Sequence, residues 1–231
     1  MSVQRPFVLV NVAMSLDGKI DTAARAGASI SSAADKARVD RLRAGVDAVL
    51  VGGRTLLDED PKLTVKSLAL REERKALGQP ENPAKVGLAS VADLAPAGEF
   101  MTAGPARRLI YTTARTAPGQ VARLREAGAE VFLLDGERPD PAAVLESLHG
   151  LGIRRLLVEG GGTILAEFFR LGLVDEVSVY VAARIFGGAS APTPADGPGF
   201  ILEQAPHLQL LSAEKFDSEG GVLLQYTIQH G

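Results

Sequence analysis

The chain has 231 residues, 46% of them apolar, and a formal charge of −3, which suits one globular domain or two small ones. It has no cysteine, which excludes disulfides, thiolate zinc sites and cysteine nucleophiles, and its three histidines, His149, His207 and His230, show no ligand spacing, so no metal is expected. The charge makes no electrostatic case for nucleic acid or a membrane surface, no apolar run reaches the ~18 residues of a membrane span, and "MSVQRPFVLV" lacks a signal-peptide pattern, so a cytoplasmic location is expected.

"FVLVNVAM" reads as a first strand. "SAADKARVDRLRAG" predicts a helix with Ser31 or Ser32 as N-cap and Gly45 just past its end. "DAVLVGG" is a short buried strand. "LREERKALGQPENP" suggests a short exposed helix and a linker. "KVGLAS" and "RRLIYTT" are two more strands. "PGQVARLREAG" is a helix opened by Pro118 and closed by Gly128. "AEVFLL" is a strand, "DPAAVLESLHGLG" a helix and "RRLLVEG" a strand. "TILAEFFRLG" is a helix and "VDEVSVYVAA" a strand with partial alternation. "GGASAPTPADGPG" is too long for a tight turn, which makes it a functional or a mobile loop. "LQLLSAEKF", "EGG" and "VLLQYTIQ" form a β-hairpin. The alternation of strand and helix predicts an α/β protein with a sheet covered on both faces and an antiparallel edge at its C-terminal end.

Four junctions carry possible chemistry. In "LLVEGGGTILAEFF" a buried strand runs into Glu159, then Gly160, Gly161 and Gly162, then a helix start. Unpaired amides and the positive end of the helix dipole make such a turn an anion site; the alternative is a tight turn that holds nothing. Glu159 stands at the carboxyl end of a strand, where ligands bind in open α/β sheets, or is a capping or surface carboxylate. "MSLDGKID" follows the first strand with an Asp17–Gly18 turn, from which Lys19 can meet a polarised or anionic group; the alternative is a plain turn. "VGGRTLLDEDPKLTVK" offers Gly52 and Gly53 as a second place of close backbone approach. Its Thr55, Glu59, Leu63 and Lys66 either line a cleft or belong to a solvated loop. "RLRAG" puts Arg41 and Arg43 at a helix end, where cations suit the dipole; one of them can also face a cleft.

Taken in order, "MSLDGKI", "LRAGVDAVLVGGRTLLDEDPKLTVK", "LLVEGGGTILAEFFRLGLVDEVSVYVAARIFGG" and "APTP" resemble the reductase domain of the riboflavin pathway. This is the C-terminal domain of bifunctional RibD, together with its free-standing diaminopyrimidine-reductase relatives. The resemblance runs from about Pro6 to the C-terminus and is weak between Ser67 and Pro83. The absence of cysteine and of a His-x-Glu motif favours the free-standing type, a single reductase domain over residues 1–231. The resemblance implies a dihydrofolate-reductase-like fold, a mixed, mostly parallel sheet with flanking helices. It also implies NADPH as cofactor, a homodimer, and a phosphorylated pyrimidine substrate whose ribosyl group becomes ribityl.

Carried over residue by residue, the resemblance implies cofactor contacts at Ala13, Thr55, Glu59 and Ser90. It adds the glycine turn and helix start, Gly161, Gly162, Thr163, Ile164, Leu165, Ala166 and Glu167. Glu59 stands where the family has Asp. Substrate contacts are implied at Arg43, Leu63, Lys66 and Glu159, with Lys66 in place of a common Arg. Lys19 and Glu159 are the catalytic candidates, and Arg54 or Arg115 the cation for the cofactor's 2′-phosphate. One departure concerns the substrate: "RAGASISS" puts Gly27 where the family has a substrate-contacting Ser, and Ser29 where it has a cofactor-contacting aromatic residue. A dihydrofolate or dihydropterin reductase, and a non-catalytic nucleotide-binding module, are the alternatives on the same scaffold.

Overall fold

The structure, a computed structural model, describes residues 4–229; His230 lies outside them. The first half of the chain forms β1 (Phe7–Ser15), α1 (Ala33–Ala44), β2 (Ala48–Gly52), a π-helical turn (Thr55–Glu59), α2 (Leu68–Ala76), β3 (Ala84–Leu88), α3 (Glu99–Thr102) and β4 (Arg108–Thr113). The second forms α4 (Pro118–Glu126), β5 (Glu130–Leu134), α5 (Pro141–Gly150), β6 (Arg155–Gly160), α6 (Gly162–Arg170), β7 (Glu176–Ala182), a 3₁₀ turn (Leu202–Gln204), β8 (Leu208–Lys215) and β9 (Val222–Ile228). Every strand and helix expected from the sequence is present; α3 and the two short turns are additional. The class is the expected one, α/β with a mixed, mostly parallel sheet and a C-terminal antiparallel hairpin. The described residues divide into two compact units, one built mainly from Asp40–Leu157, the other from Phe7–Val39 and residues 158–229.

In the Asp40–Leu157 unit, four parallel strands lie in the order β5-β4-β3-β2. All five residues of β2 and of β3 are buried. Parallel strands covered on both faces favour apolar residues; β2 reads as an unbroken apolar run, and β3 as one interrupted by Lys85. Leu124 of α4 and Val144, Leu145 and Leu148 of α5 are fully buried. Pro141 opens α5, and the Asp140 carboxylate accepts the Ala142 amide at 3.1 Å. The segment expected as an exposed helix is α2, but Arg74 in its last turn is buried. Its guanidinium donates to the carbonyls of Pro80 (2.8 Å), Ala44 (2.7 Å) and Val46 (2.9 Å). A buried arginine is tolerable there because its N–H groups find acceptors.

In the other unit the order is β1-β7-β9-β8. β1 and β7 are parallel, with Ala13 opposite Tyr180 and Ser15 opposite Ala182. β9 runs antiparallel to both β7 and β8. The buried Arg38 of α1 donates to Asn11 of β1 (2.7 Å), to Ser178 of β7 (2.8 Å) and to Asp35 (2.8 Å), which pins the helix to that strand pair. Of the two serines expected at the N-cap, Ser32 is the cap: its Oγ accepts the Asp35 amide at 3.1 Å. The Ser32 hydroxyl also donates to Asp217 in the β8–β9 turn (2.6 Å), as does Tyr180 Oη (2.8 Å). Gly221 in that turn lies against the Tyr180 ring, where a side chain has no room.

One buried charge sets a pH dependence. Lys85, on β3, is 1% exposed, and its Nζ donates to the carbonyls of Ala103 (2.6 Å), Phe100 (2.9 Å) and Glu99 (3.4 Å) at the end of α3. Burial, with the Arg108 guanidinium adding to it, holds the ammonium pKa down to about 8 from its ordinary 10.5. Between those values the unfolded chain keeps a proton that the native chain has released, so stability rises with pH across the window. Denaturant unfolding of the native sequence and of Lys85→Met at a series of pH values should show a stability difference that shifts in favour of the native sequence from about pH 8 to pH 10.5. A flat difference would mean that Lys85 titrates like an exposed lysine.

Candidate active site

In the unit that holds β1 and β7, the two strands end side by side and the "SLDG" turn follows β1. Asp17 organises it. The Ser15 hydroxyl donates to its Oδ1 (2.6 Å), and the amides of Phe186 and Gly187, just past β7, donate at 3.1 and 2.7 Å. These bonds, the Ser15 hydroxyl first, hold the Asp17 carboxyl down to about 2. Lys19 is half-buried; its amide donates to Ser15 Oγ (3.0 Å) and its Nζ lies 3.5 Å from the Ala191 carbonyl. Ala13 packs against an apolar cluster of Ile30, Tyr180 and Ala182. The departing segment after the turn is tied by Asp21, which accepts the amides of Thr22 (2.6 Å), Gly27 (2.9 Å) and Ala28 (3.0 Å). Burial pushes the Asp21 carboxyl up, but those amides outweigh it and hold the group below its ordinary value. Gly27 has φ +78°, a conformation costly for the Ser that the resemblance has at this position. Ser29 Oγ accepts from Lys36 Nζ at 3.1 Å.

The glycine turn joins β6 to α6 in the same unit. Each glycine has a different reason to be there. Gly160 has φ +122°, which only glycine adopts readily. Gly161 is the N-cap of α6, and its carbonyl accepts the amides of Ile164 (3.1 Å) and Leu165 (3.2 Å). Gly162 is buried, and a Cβ there would run into the Thr193 carbonyl and stand 3.1 Å from the Asp196 carboxyl carbon. The close approach that the triplet signals is therefore filled, at Gly162, by the chain's own "APTPAD" segment. Gly161 is half-buried and Thr163 exposed, so these two positions of the helix start are accessible. Leu165 is fully buried, and the Glu167 carboxylate pairs with Arg170 on the helix surface. Glu159 is half-buried at the end of β6.

The remaining expected site residues belong to the Asp40–Leu157 unit, and they form two groups. Arg43 reaches the segment that carries Leu63 and Lys66: its Nη1 donates to the Thr64 carbonyl at 3.2 Å. The backbone here is held rigidly. Asn82 accepts the Val65 amide (2.9 Å), and Asp40 accepts those of Lys66 (2.6 Å) and Ser67 (2.8 Å). Leu63 is buried with φ +49°, a strained conformation for a branched residue, while the Lys66 side chain is exposed. Thr55 and Glu59 open and close the π-helical turn, and Ser90 follows β3. A Cβ on Gly53 would lie 3.2 Å from Ala89 Cβ, which brings the chain after β2 against the chain after β3. The Ser90 carbonyl accepts from Thr113 Oγ1 (2.8 Å) and Thr112 Oγ1 (3.3 Å). "DEDP" is more than a solvated loop: Asp60 accepts the amides of Glu99 (2.6 Å) and Phe100 (2.8 Å) and so starts α3.

Five carboxylates have architectural roles here that the sequence does not announce: Asp17, Asp21, Asp40, Asp60 and Asp196. Asp17, Asp60 and Asp196 stand next to a Gly or Pro, which marks a turn without naming what it holds, and Asp21 and Asp40 carry no such mark.

A family model described as the RibD C-terminal domain matches residues 6–221. The chain is 43% identical over 197 residues to a 2,5-diamino-6-ribosylamino-4(3H)-pyrimidinone 5′-phosphate reductase from Archaeoglobus fulgidus, covering 85% of this chain and 89% of that one. It is 38% identical over 225 residues to the protein of the same name from Methanothermobacter thermautotrophicus, covering 97% and 99%. RibD of Acinetobacter baumannii, a solved structure, superposes with a TM-score of 0.80 at 25% identity, over 97% of this chain and 58% of that longer one. The fold is thus the dihydrofolate-reductase-like one that the motifs implied. The chain belongs to the RibD C-terminal domain family.

Proposed function

We propose that the chain is an NADPH-dependent reductase that turns the ribosyl group of a 5-phosphoribosylaminopyrimidine into a ribityl chain, as one step of riboflavin biosynthesis. At the level of the family it is a reductase of RibD type. The observation that carries the finer reading is the near-full-length likeness to two proteins named as reductases of 2,5-diamino-6-ribosylamino-4(3H)-pyrimidinone 5′-phosphate.

The residues suit the cofactor. A helix start with glycine at its N-cap and an exposed Thr163 beside it fits a phosphate. In this reading the start of α6, at Gly161 and Thr163, holds the phosphates, with Gly162 and Leu165 buried beneath it, and Ala13, Thr55, Glu59 and Ser90 hold the rest of the cofactor. Arg54 is exposed at the start of the π-helical turn and takes the 2′-phosphate. Arg115 is the poorer candidate, because its guanidinium already stands 3.5 Å from the Glu137 carboxylate. When bound there, NADPH would supply the hydride that reduces C1 of the opened sugar. Arg43 and Lys66 hold the sugar phosphate, and the bonded amides of Val65, Lys66 and Ser67 fix the backbone from which the Lys66 side chain projects. Opening the N-glycoside gives a C1=N imine. Lys19 and Glu159 stabilise its developing charge and deliver the proton that ends on nitrogen. The proposal extends to a cytoplasmic homodimer. In its support, β8 is the last strand of its sheet order and carries Leu208, Leu210 and Leu211 at 47%, 52% and 56% exposure, a face that a second copy can cover.

NADPH oxidation measured with a panel of purified compounds tests the reading. The phosphoribosylaminopyrimidine should be reduced with NADPH and far more slowly with NADH. Turnover of dihydrofolate or a dihydropterin instead would replace the substrate, and NADPH binding with no turnover of any compound would make the chain a binding module. Lys66→Ala should raise the substrate KM about 10- to 100-fold and leave NADPH affinity unchanged, since a charge-assisted hydrogen bond contributes about 1.5–3 kcal/mol; a loss seen in cofactor binding would invert the two assignments. Glu159→Gln should lower kcat about tenfold or more, equivalent to ~1.4 kcal/mol of transition-state stabilisation, at an unchanged melting temperature. Full kcat with a lower melting temperature would make Glu159 structural.

A further inference from the structure

The segment after β7, Arg184 to Asp196, is the shared support of two parts of its unit. Its Phe186 and Gly187 amides donate to Asp17. The Ser190 carbonyl accepts from Arg25 (3.2 Å), the Ala191 carbonyl faces Lys19 Nζ (3.5 Å), and the Pro192 carbonyl accepts the Ile20 amide (3.0 Å). The next residue turns to the other side: the Thr193 carbonyl lies over Gly162, and the Asp196 amide donates to the Gly162 carbonyl (3.2 Å). Successive carbonyls from Ser190 to Thr193 thus face first the lysine turn and then the glycine turn. What fixes that change of direction is one carboxylate. Asp196 Oδ1 accepts both the amide (2.9 Å) and the hydroxyl (3.0 Å) of Thr193.

We infer that Asp196 is a positioning residue which, by locking Thr193, holds the glycine turn and Lys19 in a single fixed arrangement. The inference rests on the reading above that Lys19 and the glycine turn serve the reaction. Asp196 does not itself meet the substrate or the cofactor in it. The required chemistry is that of an acceptor with two lone pairs aimed at Thr193, which an asparagine carbonyl also supplies. An alanine supplies none, and the 190–193 carbonyls are then free to shift, with the Ile20 amide losing its fixed acceptor.

The test compares the unmodified chain with Asp196→Ala and Asp196→Asn by residue-resolved amide hydrogen exchange and by kinetics. In Asp196→Ala the Ile20 amide should exchange at least tenfold faster, while Val179, in the interior of β7, keeps its protection. kcat should fall about tenfold and the NADPH Kd rise severalfold. Asp196→Asn should restore exchange at Ile20 and most of kcat. Unchanged exchange at Ile20 in Asp196→Ala would overturn the inference. So would an Asn variant as impaired as the Ala one, because the charge and not the lock would then matter, and so would loss of Val179 protection, which would make Asp196 a residue of general stability. An unmodified chain that binds no NADPH would instead refute the functional reading, and the exchange comparison would still decide whether Asp196 locks the two turns.

Discussion

Two parallel strands that end at the same edge create a problem that Asp17 solves. β1 and β7 stop with Ser15 opposite Ala182, and each chain must then leave without stranding its amides. The Asp17 carboxylate gathers a hydroxyl from one departing chain and two amides from the other. Its acidity, held near 2, keeps it a pure acceptor under any ordinary condition. The lysine turn, the Asp21-bound segment and the long loop after β7 all start from this clamp. An apolar side chain in its place would leave two amides and a hydroxyl competing for water at the mouth of the unit.

The glycines tell a related story about close approach. The sequence marks Gly53 and the 160–162 triplet as places where something nears the backbone. In the structure the neighbour is often the protein itself: Ala89 against Gly53, and Thr193 against Gly162. A third case was not marked at all. A Cβ on Gly87 would stand 2.6 Å from Leu56 Cδ2, so a glycine in the middle of β3 makes room for a side chain of the π-helical turn. Only Gly160, by its backbone angle, and Gly161, by its place at the cap, keep the geometry that an anion-binding turn asks of its residues.

Most of the secondary structure was legible because its signals are local. Strands buried on both faces read as apolar runs, and Pro118, Pro141 and Ser32 mark helix starts by what they do within one turn. α3 was not legible. It has four residues, and the group that caps it, Asp60, comes from far earlier in the chain. The same limit hid the roles of Arg74 and Lys85, which read as an exposed helix residue and an ordinary strand residue. Both are buried, and their acceptors are carbonyls of other segments. At the candidate site, the motifs marked the Asp17–Gly18 turn and the glycine turn, and Arg43 reaches the segment that carries Leu63 and Lys66, where it donates to the Thr64 carbonyl. The carboxylates that hold those turns in place stayed invisible, since a carboxylate that binds a distant amide looks like any other acidic residue.

Gly162 also limits how this protein can diversify. The Thr193 carbonyl occupies the space that any side chain at that position would need. A substitution there adds at least a methyl group and displaces the loop, whereas a residue change in the loop leaves the Thr193 carbonyl, a main-chain group, in place. The glycine is therefore the fixed partner of this contact, and the side chains of the loop are the variable one. Variation in ligand preference across relatives of this chain should therefore enter through the outward-facing positions around the turn, with the Gly162–Thr193 contact inherited as one unit.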